Sequence, residues 1–140
     1  MSTNTRPELS TKNPYWIEKH RYYELKHFCL QYYVWKKIVS TLDYYIKHRD
    51  TDNIPTPHNH ILSKPVEDLA VKRSYFQDRI DMVERVCKKT DPTLSEYILD
   101  AVTKGLSYDI LRVRKSIPCN KAEYYELYRK FFWLLDKERA

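Results

Sequence analysis

Residues 93–138 read TLSEYILDAVTKGLSYDILRVRKSIPCNKAEYYELYRKFFWLLDKE, and the punctuation of this stretch decides the fold. Thr93 followed by Glu96 has the spacing of a capping box, and Asp91 is a second candidate cap for the same helix. Leu94, Ile98 and Val102 then recur at helical spacing until Gly105, the residue that a left-handed C-terminal cap favours. Ser107 can cap a short helix from Tyr108 to about Lys115, which Pro118 interrupts. Asn120 with Glu123 makes a second box-like pair, and no breaker follows before Glu138. The predicted order is helix, three-residue turn with glycine, short helix, four-residue turn, long helix. That is the tri-helical layout of helix-turn-helix proteins.

Successive helical residues turn by about 100°, which sorts the last helix into faces. Tyr124, Leu127, Tyr128, Phe131, Leu134 and Leu135 share the core face. Lys121, Ala122, Tyr125, Glu126 and Arg129 share the other, with Trp133 on the outward side and Phe132 beside the boundary. These bulky rings call for a second covering surface, supplied by the long hairpin or by a partner chain. In a helix-turn-helix the long helix enters the major groove by its N-terminal turns. Lys121, Tyr125 and Arg129 are therefore the candidate base-contacting residues, and Arg112, Arg114 and Lys115 the candidate phosphate contacts. Eight Lys/Arg against five Asp/Glu from Ser107 to Ala140 favour a polyanion only modestly, so two copies or help from the basic N-terminal helix would be needed.

Upstream, two heptad runs stand before this unit. Leu25, Phe28, Tyr32, Trp35, Val39, Leu42 and Ile46 step alternately by three and four within a stretch from Tyr15 to about Lys47 that contains no Pro or Gly. A loop over 48–63 follows, rich in Pro, Asn and Asp. Leu62, Val66, Leu69, Arg73, Phe76, Ile80, Val83 and Cys87 form the second run, in a helix from about Pro65 to Lys89 with Ser63 as its cap. Arg73 on that seam requires a carboxylate or must reach solvent. The two seams can close on each other as an antiparallel hairpin or pair with a second copy in a homodimer. The expected fold class is thus all-α. A flexible tail spans 1–13, a long helical hairpin of coiled-coil character 14–90, and the helix-turn-helix unit 91–140.

Composition narrows the function classes. A single Gly among 140 residues disfavours the Rossmann, P-loop and β-sandwich folds, which need glycine at turns and phosphate cradles. No apolar run approaches the roughly 18 residues of a membrane span, and residues 1–13 lack a signal-peptide core, so a cytoplasmic protein is expected. Cys29, Cys87 and Cys119 match neither a disulfide framework nor a zinc pattern. His58 and His60 lie in a Pro-rich loop without the further ligands that a metal site requires. No nucleophile–base arrangement can be placed. The expectation is no enzyme, no metal and no cofactor. The net charge of +6 permits a phosphate-bearing partner.

One family resemblance rests on specific segments. These are Pro14-Tyr15-Trp16 with Tyr22-Tyr23-Glu24-Leu25-Lys26; Val66-Glu67-Asp68-Leu69-Ala70-Val71-Lys72-Arg73 with Arg79-Ile80 and Val83-Glu84; Gly105-Leu106-Ser107-Tyr108; Ile117-Pro118-Cys119; and Tyr124-Tyr125-Glu126-Leu127-Tyr128-Arg129-Lys130-Phe131-Phe132. Together they resemble the RinA/ArpU-type phage regulators of Gram-positive bacteria, whose C-terminal part is similar to the DNA-binding region four of sigma factors. The likeness follows the order of elements over residues 15–138 and is specific over 65–135. It implies a sequence-specific transcriptional regulator of bacteriophage type, acting on double-stranded DNA in the bacterial host cytoplasm with Asn120–Arg129 as the recognition helix. RNA polymerase is a further partner on this reading. The alternative is a phage-encoded inhibitor that binds a host protein, of anti-CRISPR or polymerase-binding type, on a reused helix-turn-helix.

Overall fold

The computed structural model of the protein describes the backbone of residues 13–51 and 59–140 and the side chains of residues 13–48 and 66–140. Among the described residues the fold is all-α, with no strand. The helices are α1 (Lys19–Leu30), α2 (Tyr32–Thr51), α3 (Asn59–Thr90), α4 (Ser95–Lys104), α5 (Tyr108–Lys115) and α6 (Lys121–Glu138). None of the described helices is long and apolar enough to cross a membrane. Two compact units result, one joining the chain up to Gln31 with Met82–Ala140 and the other spanning Tyr32–Asp81. The boundaries of these units differ from the expected division between 90 and 91. The reason is packing: α1 and the end of α3 cover helices that the last fifty residues cannot cover by themselves.

Residues 1–12 of the expected tail lie outside the described residues, whereas Asn13 is held in a turn. Its carbonyl accepts from the Trp16 N–H at 3.1 Å and its side-chain oxygen from the Tyr15 N–H at 2.8 Å. An Asn side chain bonded to the backbone two residues on competes with helix, so α1 starts at Lys19 rather than near Pro14. Glu18 caps it, its carboxylate accepting from the N–H groups of His20 and Arg21. The continuous helix expected from Tyr15 to Lys47 is also interrupted once. At Gln31 the chain tightens, the N–H turning to the Phe28 carbonyl at 3.2 Å. No Pro or Gly marks this point.

In the larger unit, α6 is the element around which the others pack. Phe131, Phe132 and Leu135 are completely buried, and Tyr124 is 1% exposed. Phe132, expected at the boundary, thus belongs to the core, because α1 supplies the second cover that the outward rings required. Tyr22 of α1 meets Phe132 edge-on at 5.1 Å between ring centres, and its hydroxyl pairs with that of Tyr128 at 2.7 Å. Edge-to-face pairs of this kind add to the area they bury. Arg21 donates to Asp136 at 2.6 Å, Arg85 of α3 to Glu138 at 2.6 Å, and the Arg139 guanidinium lies over the Phe28 ring at 3.8 Å. The Arg85 hydrogen bond holds the Glu138 carboxyl below the usual carboxylate range. Trp133 is half-buried, between the Tyr15 ring and the Lys137 ammonium.

The caps of the last three helices follow the sequence closely. Gly105 ends α4 at φ 68°, Ser107 accepts from the Ile110 N–H, and Asn120 with Glu123 forms a complete capping box. The first of them differs. Asp91, not the Thr93–Glu96 pair, bonds the N–H groups of Thr93 and Leu94, and α4 begins at Ser95 without a side-chain cap.

In the smaller unit, Tyr32, Trp35, Val39 and Ile80 are buried, and Leu42, Ile46, Val66, Leu69 and Phe76 are half-buried. Both heptad stripes therefore face inward. Arg73 finds the carboxylate that its seam position demanded: its Nε donates to Asp43 at 2.5 Å. The pair ties α2 to α3 within one chain, and the short link between them makes them antiparallel. Of the stretch 48–63 expected as a loop, 48–51 belong to α2 and 59–63 to α3, and residues 52–58 lie outside the described residues. α3 opens at Asn59, ahead of Ser63, and Leu62 and Ser63 have no described side chains.

Two substitutions test this packing. A methyl group at Gly105 would stand 3.6 Å from Leu30 Cδ2, an ordinary contact, so only the left-handed backbone opposes it. Gly105→Ala is expected to lower the unfolding free energy in urea by about 1 kcal/mol. The buried Tyr124 hydroxyl has no hydrogen-bond partner among the described residues. Tyr124→Phe is therefore expected to leave stability unchanged or raise it by up to about 1 kcal/mol, whereas Tyr128→Phe, which breaks the hydroxyl pair, lowers it by a similar amount.

Candidate nucleic-acid interface

The three helices expected to form a helix-turn-helix, α4, α5 and α6, share one core. Ala101, Tyr108, Leu111, Ile117, Tyr124 and Tyr125 pack together, with Tyr97, Leu106, Cys119 and Tyr128 around them. The turn between α5 and α6 is closed at both ends. Ser116 adopts a left-handed conformation (φ 52°) and donates its N–H to the Arg112 carbonyl at 3.1 Å. The Tyr108 hydroxyl donates to the Cys119 carbonyl at 2.6 Å. The turn is thus fixed by its own backbone and by one buried phenol.

The six expected contact residues separate into three groups. Arg112 and Arg114 on α5 and Lys121 in the first turn of α6 are exposed, and no carboxylate pairs with them among the described residues. Lys115 is exposed but committed to Asp100 of α4, a carboxylate only 14% exposed that also receives Lys104 at 3.6 Å. Arg129 bonds Glu126 one turn earlier at 3.1 Å and keeps a side-chain exposure of 20%. Tyr125 is a correction: it is 9% exposed and lies in the core. Its ring meets Tyr124 at 5.0 Å and Tyr128 at 6.0 Å. Helix periodicity placed it outward, but α6 is enclosed over a wider arc than one stripe, so its outward strip is narrow.

The structure places Arg112, Arg114 and Lys121 exposed on α5 and the start of α6, with the carboxylates Asp109 and Glu123 in the first turns of the same two helices. Periodicity missed two members of this surface, Ile110 and Val113. They are 37% and 82% exposed on the same short helix. For Val113 the available signal was its place between Arg112 and Arg114 in the sequence.

The thiols offer no chemistry here. Burial pushes the Cys87 thiol up to about 12 and raises that of Cys29 further. Cys119 lies near the start of α6, yet its thiol is also raised, by burial first and then by Glu123 and Asp91, which outweigh the helix terminus. No group of three His, Cys, Asp or Glu side chains converges among the described residues; the side chains of His58 and His60 lie outside them. No family model, no curated protein and no solved structure matches the chain.

Cysteine burial gives a direct check on this unit. Iodoacetamide at neutral pH is expected to label Cys119 first, with Cys29 and Cys87 reacting only in denaturant. Labelling of all three at one rate in the native protein, read by peptide mass spectrometry, would contradict the packing.

Proposed function

We propose that the protein is a sequence-specific DNA-binding regulator of phage type, with the α5–α6 edge as its duplex-binding surface. One observation carries this reading: Arg112, Arg114 and Lys121 are exposed on either side of the turn between α5 and α6, and among the described residues no carboxylate pairs with them. Guanidinium groups suit phosphate oxygens because their donors form a planar fork. A lysine at the first turn of α6 stands where the residues of such a helix meet base edges, and a guanine edge presents two acceptors to it. The Glu126–Arg129 pair lies farther along the same helix. The family resemblance described above points the same way, and the net charge of +6 suits a polyanion.

The surface is sparse for a single copy. Three cations anchor a weak complex, and binding should weaken steeply with salt because phosphate neutralisation releases counterions. Arg112→Glu with Arg114→Glu and Lys121→Glu is expected to abolish a gel shift that the unmodified chain gives at low salt, with helicity by circular dichroism unchanged. Equal retention on duplex DNA by the triple variant would sink this assignment.

A second reading, an inhibitor that binds a host protein, is favoured by the exposure of Ile110 and Val113 between the arginines. A stoichiometric protein complex lost on Val113→Glu, together with no duplex binding at low salt, would favour it.

A further inference from the structure

We infer that α2 carries a second duplex-DNA contact, a basic and tyrosine-lined stripe that holds the phosphate backbone. This rests on the DNA-binding reading above and assigns part of the affinity to the smaller unit.

The inference begins with helical geometry. Tyr33, Lys36, Lys37, Ser40, Tyr44, Lys47 and His48 fall within about 120° of one another around the α2 axis. All seven are exposed. The buried seam of Tyr32, Trp35 and Val39, continued by Leu42 and Ile46, lies on the opposite side. The stripe extends for about 22 Å from Tyr33 to His48, at the usual rise per residue.

Charge is divided unevenly between the two helices of this unit. From Tyr32 to His48, α2 has three lysines and one carboxylate, Asp43, and that carboxylate is engaged by Arg73 of α3. Over residues 66–81, α3 carries Lys72, Arg73 and Arg79 against Glu67, Asp68, Asp78 and Asp81. The uncompensated positive charge of the described unit is therefore gathered on α2. A hairpin needing only a solvated surface has no reason to sort its charges in this way, and alternating signs would serve it better.

The side chains between the lysines complete the match. Tyr33 and Tyr44 are 44% and 57% exposed, and hydroxyls of this kind donate to phosphate oxygens. Tyr44 is held by stacking on His48 at 3.8 Å, while the His48 ring bonds the Tyr44 carbonyl at 2.9 Å. Lys36 lies 5.3 Å from the centre of the Tyr32 ring, which orients it without neutralising it. The stripe has no Leu, Ile or Phe, so it lacks the apolar face that a membrane-surface helix inserts. It is convex, with no groove to enclose unstacked bases as single-strand binders do. A convex row of ammonium and phenol groups suits the outside of a duplex. It also supplies the cations that the helix-turn-helix corner lacks.

The test compares the full chain with two variants on two unrelated duplexes over 50–200 mM salt. Lys36→Gln with Lys37→Gln and Lys47→Gln removes the charge but keeps good helix formers. Lys36→Arg with Lys37→Arg and Lys47→Arg retains it. The glutamine variant is expected to lose affinity on the order of 10²-fold at 100 mM salt and to reduce the salt slope by about 2.7, roughly 0.9 for each phosphate contact. The loss should be equal on both duplexes, since phosphates carry no sequence. The arginine variant should bind as the unmodified chain does. A glutamine variant with unchanged slope and affinity would overturn the α2 contact and leave the helix-turn-helix reading standing. If the Arg112, Arg114 and Lys121 reversals were harmless while the glutamine variant failed, the helix-turn-helix assignment would fall instead. No duplex binding by the unmodified chain would overturn both.

Discussion

Phe131 and Phe132 are adjacent on one helix and both have no exposed surface. Their side chains leave the axis about 100° apart, so no single flat neighbour can cover both. This constraint organises the larger unit. α6 must be covered from two directions, by the helix-turn-helix partners on one side and by α1 on the other. The tyrosine-rich composition of α1 follows from that task. A tyrosine presents a ring to the apolar surface and a hydroxyl to a polar partner, as Tyr22 does with Phe132 and Tyr128.

The same enclosure shapes the candidate interface. An α6 covered on two sides leaves only a narrow strip of its N-terminal half open. Tyr125 is drawn into the core, Arg129 settles against Glu126, and Lys121 remains. The cationic surface moves to α5, whose single buried turn around Tyr108 and Leu111 leaves most of the helix exposed. A helix-turn-helix that reads bases with the whole outer face of its last helix would need that face uncovered. On the proposed DNA-binding reading, the anchoring falls on the preceding helix and the turn.

Legibility in the sequence followed the range of the interaction. Gly105, Ser107 and the Asn120–Glu123 box were readable because a cap is decided by residues within four positions of each other. Both heptad stripes were readable because burial repeats with the helix, and Arg73 announced a carboxylate partner that Asp43 supplies. The Gln31 interruption left no trace, since no Pro or Gly marks it. Tyr125 was misplaced for a different reason. Periodicity locates the centre of a buried face but not its width, and at Tyr125 that width is set by Ala101, Tyr108, Leu111 and Ile117, which pack in one cluster with it. The commitment of Lys115 to Asp100 was likewise hidden, because it depends on how α4 and α5 cross.

The central claim is that α6 keeps its place only while α1 covers its second side. Hydrogen exchange along α6 in the full chain, compared with a chain lacking residues 1–31, tests this most directly. The account predicts that backbone amides from Tyr128 to Leu135 are strongly protected in the full chain and exchange orders of magnitude faster without α1. Equal protection of those amides in both chains would contradict it.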